Sequence, residues 1–205
     1  MKITKEEYLK NPTGSSSLSY WKTNSFVIPS NIRVIRDDQY VDNDIEIDEP
    51  YFKLVHRLMD IKKPSLPDGF VLCHPSLEEF VNHINECYED ISPSLHELEE
   101  YQNRPTYQKD LWFGIKEVKT NKLVASIIGE IDFSIKEGII EWLQVSKDYR
   151  RNGLASFLVH SFLEIVKSEC DFVTVSGQMN NKTHPYELYL SCGFVNPVIW
   201  HILSK

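Results

Sequence analysis

Val145-Ser146-Lys147-Asp148-Tyr149-Arg150-Arg151-Asn152-Gly153-Leu154-Ala155 joins a short apolar run to an amphipathic one. Upstream, residues 139–145 read as a strand. Downstream, Leu154, Phe157, Leu158, Phe162 and Ile165 recur at spacings of three and four, which predicts a helix over 154–168. The first amides of a helix have no partner inside it. The aligned peptide dipoles add about half a positive charge at that end. Gly153 and Ala155 allow close approach to the backbone, and Arg150 and Arg151 add charge. Such a strand–loop–helix unit suits a diphosphate. The plainer alternative is a surface turn carrying two exposed arginines.

Working outward, residues 70–74 read as a short strand. Ser76-Leu77-Glu78-Glu79 is a capping box that opens a helix with Leu77, Phe80, Val81, Ile84, Tyr88 and Ile91 on one face. Ser94-Leu95-His96-Glu97 opens a second helix in the same way. Strands are predicted over 110–118 and 123–135, joined by a hairpin in which Asn121 takes positive φ. Glu137-Gly138 is read as the turn into strand 139–145. After the long helix come a strand over 172–176, a helix over 185–191 stopped by Gly193, and a strand over 198–203. The order predicts an α/β (α+β) fold, a sheet with helices on its faces.

Residues 1–69 differ in character, and are read as an extension packed on a domain of residues 70–205. They hold an extended apolar stretch near 31–36 and an acidic connector of Asp37, Asp38, Asp42, Asp44, Glu46, Asp48 and Glu49. Phe52, Val55, Leu58 and Met59 follow at helical spacing.

The chain has 205 residues, long enough to bury a core unaided, and a formal net charge of −8. That balance argues against a nucleic-acid surface, which needs clustered Lys and Arg. No apolar run approaches a membrane span, and the first residues are too polar for a signal peptide. A cytoplasmic protein is expected, as a monomer or homodimer. Cys73, Cys87, Cys170 and Cys192 lack metal or redox spacing and are expected to be free. His96-Glu97-Leu98-Glu99-Glu100 begins like a zinc-protease helix but ends in Glu, so no metal is expected. Ser176 lacks a nucleophile elbow, which excludes a serine hydrolase.

Arg150-x-x-Gly153-x-Ala155 resembles the acyl-CoA signature of the GNAT superfamily of N-acyltransferases, and Leu188-Tyr189-Leu190-Ser191-Cys192-Gly193-Phe194 is similar to that family's Leu-Tyr-x-x-x-Gly-Phe. The resemblance covers residues 70–205. It implies a mixed, mostly antiparallel sheet with helices on both faces. It also implies acetyl-CoA as co-substrate and transfer to a primary amine through a tetrahedral intermediate. A non-catalytic acyl-CoA-binding module on the same fold is the alternative. By the resemblance, the backbone of Leu143, Gln144 and Val145 would pair with pantetheine. Arg150, Arg151, Asn152, Gly153, Leu154, Ala155 and Ser156 would hold the pyrophosphate, and strand 172–176 would splay away to open a slot. Asn181 matches a cofactor-side asparagine, with an N-cap or loop role as the alternative.

Glu141 is the candidate base, a carboxylate in an otherwise apolar strand, read as sharing a face with Leu143 and Val145. There desolvation would raise its pKa; the alternative is a buried carboxylate bonded to an arginine or backbone. The family's commoner glutamate position holds Ile139. Tyr189 matches the family's tyrosine near the cofactor sulfur and is the candidate acid. Residues 76–100 carry Glu78, Glu79, Glu86, Glu89, Asp90, Glu97, Glu99 and Glu100 without a Lys or Arg. A cationic acceptor would be drawn there; a solvated helix face is the alternative.

Overall fold

A computed structural model describes residues 2–42, 46–89 and 91–204, so Asp44 and Asp90 lie outside the described residues. The helices are α1 (Lys5–Lys10), α2 (Tyr20–Ser25), α3 (Leu77–Cys87), α4 (Leu95–Gln102), α5 (Leu154–Val166) and α6 (Pro185–Ser191). The strands are β1 (Ile32–Arg36), β2 (Ile47–His56), β3 (Phe70–Cys73), β4 (Tyr107–Glu117), β5 (Leu123–Asp132), β6 (Glu137–Val145), β7 (Phe172–Gln178) and β8 (Val195–Ser204). All eight strands form one sheet in the order β1-β8-β2-β7-β6-β5-β4-β3. Only β6 and β7 pair in parallel; the other pairs are antiparallel.

Local chemistry sets the element ends. Ser76 and Ser94 each form both halves of a capping box, with Glu79 and Glu97. Thr4 and Glu7 form a third at α1, an element the sequence reading passed over. Asn121 turns the β4–β5 hairpin at φ 56°, and Gly193 ends α6 at φ 92°.

β5 is buried along its whole length and is covered on both faces. On one face lie α5 and α6, where Leu158, Phe162 and Tyr189 join the main cluster with Phe113 and Ile127. A Cβ on Gly129 would sit 2.1 Å from the Phe162 ring, so this glycine lets α5 close on the sheet. On the other face, Phe80, Ile84 and Leu98 of α3 and α4 pack on Trp112 and Ile128.

Two local expectations are corrected. Glu137 and Gly138 are strand residues, and the turn falls earlier, with Lys136 at φ 54°. Glu137 is fully buried. Phe52 and Val55 belong to strand β2, whose residues Phe52 to His56 are buried without alternation. A strand covered on both faces loses its period-two signature.

β2 lies between β7 and β8, inside the sheet. It carries Lys53, whose ammonium donates to Tyr8 Oη (2.9 Å) and to the carbonyl oxygens of Ser16 (3.0 Å) and Leu18. Tyr8 Oη in turn donates to Glu137 Oε1 at 2.6 Å. Thr174 Oγ1 donates to the same oxygen at 2.6 Å, and the Tyr20 amide to Oε2 at 3.0 Å. Burial pushes the Lys53 amine down to about 7 and the Glu137 carboxyl upward. The network ties α1, α2 and β2 to β6 and β7.

Candidate active site

β6 and β7 stay paired only from Glu137/Phe172 to Ile140/Val175. Beyond that point β6 pairs with β5 alone, so its other edge is open from Glu141 to Val145. The expected splay of strand 172–176 is therefore present. A cavity of about 500 Å³ opens there, between β6, the loop into α5, the segment 181–185 and α6. It is lined by Leu143, Gln144, Val145, Arg150, Arg151, Gly153, Leu154, Ala155, Ser156, Asn181 and Tyr189. Asn152 is not among the lining residues. Its amide turns inward and donates to the carbonyls of Tyr149 (3.1 Å) and Arg150 (3.4 Å), bracing the loop.

The loop leaves the first amides of α5 without a side-chain cap, and Gly153 is the N-cap at φ 77°. Nothing lies within 4 Å of where its Cβ would stand. Arg151 holds φ 66° and is exposed. Arg150 Nε donates to Val145 O at 3.1 Å, which pins the loop to the strand end. Lys182, which carries no motif signal of its own, adds a third cation to the lining. Open amides at a helix N-terminus flanked by cations fit the diphosphate of an acyl-CoA. Asn181 serves its own turn: its Oδ1 accepts from the Thr183 amide (2.9 Å) and hydroxyl (2.7 Å).

Tyr189 lies at the inner end of the cavity lining, 5% exposed, with its ring against Phe52 and Phe194. Its hydroxyl makes no hydrogen bond to any described residue. Burial, then Tyr88 and Cys192, drives its pKa well above the ordinary phenol value. The group keeps its proton and remains a donor.

Tyr88 and Cys87, at the end of α3, also line the cleft. Tyr88 Oη donates to Leu143 O at 3.3 Å. In the sequence Tyr88 reads only as one more residue of an apolar helix face. Cys87 Sγ lies 3.6 Å from His83 Nε2, but burial pushes its thiol up to about 11 and the imidazole down to about 4. Thiol and imidazole are neutral together, which is poor preparation for a nucleophile.

Glu141 does not line the cleft. The β5–β6 register shifts between Ile128 and Gly129, leaving Glu141 as the extra residue of a bulge. The bulge breaks alternation. Leu143 and Val145 pack in the α5 cluster, whereas Glu141 reaches the opposite face. There it binds Lys22 of α2, and Arg104 Nη1 lies 3.8 Å away. Its side chain is 4% exposed, paired with Lys22 and close to Arg104. Arg104 Nη1 also donates to Glu130 Oε1 at 2.8 Å.

A second cavity, of about 640 Å³, opens on this face. Trp142 and Arg104, the chain neighbour and the ion partner of Glu141, line it, together with Trp21 and Phe26 from the N-terminal region. The acids of α3 mostly serve local structure. Glu79 pairs with Lys116 (2.6 Å) and Glu86 with Lys122 (2.9 Å). Among the described residues no group of three or more His, Cys, Asp or Glu could hold a metal ion. No helix among them is long and apolar enough to cross a membrane.

The family model of the acetyltransferase (GNAT) family matches residues 77–194, more than half of the chain. The chain belongs to that family, whose general chemistry is acyl-CoA-dependent N-acetyl transfer. Its fold resembles a GCN5-related N-acetyltransferase from Sphaerobacter thermophilus, at 16% identity and a TM-score of 0.63 over 77% of this chain and 52% of that one. It also resembles a tandem GNAT protein from the clavulanic acid biosynthesis pathway, at 15% identity and a TM-score of 0.56 over 80% of this chain and 54% of that one. The ribosomal-protein-S18-alanine N-acetyltransferase of Escherichia coli aligns at 15% identity and a TM-score of 0.52 over 66% of this chain and 94% of that one. The chain spans about half the length of the first two. At these identities the likeness is one of fold. No curated protein matches the sequence.

Proposed function

We propose that the protein transfers an acetyl group from acetyl-CoA directly to a primary amine. The observation that carries this reading is the open β6 edge. It runs from the uncapped start of α5, suited to a diphosphate, toward the hydroxyl of Tyr189, which bonds to no described residue. The thioester supplies an activated acyl group. The chain must then hold it, take a proton from the amine and return one to the leaving thiol. The edge of Leu143 to Val145, left unpaired by β7, faces the pantetheine amides, which share the Leu143 and Val145 carbonyls with Tyr88 and Arg150. Tyr189 donates its phenolic proton to the sulfur. Glu141 receives the amine proton through water. Lys22 and Arg104 hold its carboxylate in place and fix its direction.

Calorimetric titration with acetyl-CoA, followed by thiol release against a set of amines, tests the whole reading. Binding without turnover on any amine would favour a regulatory acyl-CoA module. Within it, Arg151→Glu sets a negative charge beside the diphosphate. It weakens acetyl-CoA binding by about tenfold and leaves the melting temperature in place. An unchanged dissociation constant would remove this loop as the phosphate site.

Glu141→Gln keeps shape but cannot accept a proton. The loss in kcat/KM is largest where the acceptor amine is protonated, up to about 10²-fold, and shrinks as pH rises and free amine appears. A uniform loss across pH, with a lower melting temperature, would leave Glu141 only as the anchor of Lys22.

A further inference from the structure

We infer that the second cavity is the acceptor subsite, and that it selects a primary amine carried on an aromatic body, with Trp21 and Phe26 of the N-terminal region as the selecting walls. The inference rests on the acetyl-transfer reading above.

The cavity and the cofactor cleft abut. Trp142 lines the cavity, and the next residue, Leu143, lines the cleft. Tyr88 lines the cleft, and its ring meets Trp142 edge-on at 5.7 Å between centroids. One pair of touching rings therefore has a member in each space, which sets the cavity beside the open β6 edge.

The walls favour a flat apolar body. Trp21 and Phe26 come from the N-terminal region, Tyr101 from α4 and Trp142 from β6. Trp21 and Phe26 stand perpendicular to each other at 5.3 Å. The Arg104 guanidinium stacks on Tyr101, 3.2 Å from the ring centre, and faces Trp21 at 5.5 Å and Phe26 at 5.9 Å. These planar surfaces receive an aromatic ring by stacking or edge contact. Phe26 is 48% exposed and Ile91 39%, so apolar surface continues to the mouth. A volume of about 640 Å³ is that of a small-molecule site.

The charged groups around the cavity are mostly engaged already. Arg104 lines the cavity, and Lys22 stands beside it on Glu141. Both are already paired, Lys22 with Glu141 and Arg104 with Glu130. Of the acids in α3 and α4, only Glu97 and Glu100 line the space. Glu97 is held in the Ser94 capping box, and Glu100 lies 3.7 Å from His96. They can balance the ammonium of a monoamine, and most of the remaining lining is apolar.

The test compares 2-phenylethylamine with spermidine on the full-length protein, with Trp21→Ala and Phe26→Ala as variants. Binding of 2-phenylethylamine to the CoA-loaded protein is measured by calorimetry, and turnover by thiol release. The wild type prefers 2-phenylethylamine. Each alanine variant weakens its binding and raises its KM by about tenfold, with acetyl-CoA affinity and melting temperature unchanged. Trp21→Phe restores most of the binding. Equal amine binding in Phe26→Ala and wild type, or a preference for spermidine, overturns the inference while acetyl-CoA still binds. A flat acetyl-CoA titration instead overturns the transfer reading. The binding arm, run on protein without CoA, then still reads whether the cavity takes the amine.

Discussion

Lys53→Met lowers the melting temperature by roughly 6–20 °C, the shift for about 3–5 kcal/mol in a chain of this size. Lys53 is 1% exposed and its ammonium donates to Tyr8 Oη and two loop carbonyls. Methionine fills similar volume but leaves Glu137, which is 0% exposed, without its cation. A buried charge that loses its partner costs more than the pair contributed. The double variant Lys53→Met with Glu137→Leu should recover part of the loss, because it removes the orphaned carboxylate. Folding depresses the Lys53 pKa from 10.5 to about 7. The unfolded chain therefore holds the extra proton between those values, and this group makes the wild type more stable as pH rises through that window. Thermal melts of both forms at pH 7 and 9.5 check the sign, since the variant lacks this slope. A melting temperature within a degree of wild type would show that the buried network does not couple the N-terminal region to the sheet.

Tyr189→Phe keeps acetyl-CoA affinity and lowers turnover by about 10²–10⁴-fold, the range for a lost proton transfer. The ring packs between Phe52 and Phe194, so phenylalanine preserves the fit, and only the hydroxyl is lost. That hydroxyl bonds to no described residue, so its removal breaks no internal contact. Its pKa is raised first by burial, so the phenol stays protonated throughout the useful pH range. The loss is therefore flat in pH, in contrast to that of Glu141→Gln. Single-turnover thiol release isolates the chemical step. An equal single-turnover rate in variant and wild type would sink the donor assignment.

The half of the cleft at the start of α5 is legible in the sequence because it is made of neighbours. Gly153, Ala155 and the two arginines lie within six residues, and a strand end followed by a helix start fixes their geometry locally. Tyr189 is legible for a related reason: α6 ends at Gly193, and the spacing between them sets which face the tyrosine takes. Capping boxes and the Asn121 turn are likewise local.

Three features depended on the tertiary structure. Strand β2 lost its alternation because helices cover both faces of the sheet, so its apolar residues imitate helical spacing. Glu141 changed face because one extra residue in β6 has no partner in β5, and a bulge is specified by the pairing of two strands, not by either strand alone. Its cations, Lys22 and Arg104, lie 119 and 37 positions away in the chain. The second cavity draws Trp21, Tyr101 and Trp142 from three distant segments. By itself the sequence determined the mixed fold class, the Gly153 loop and the place of Tyr189 on α6, because caps, turns and periodicity are local. Only the sheet order, which sets β2 between β7 and β8, decided what surrounds the buried Lys53 and which carboxylate meets which cation. Those neighbours are brought together by long-range strand pairing, which leaves no local pattern to read.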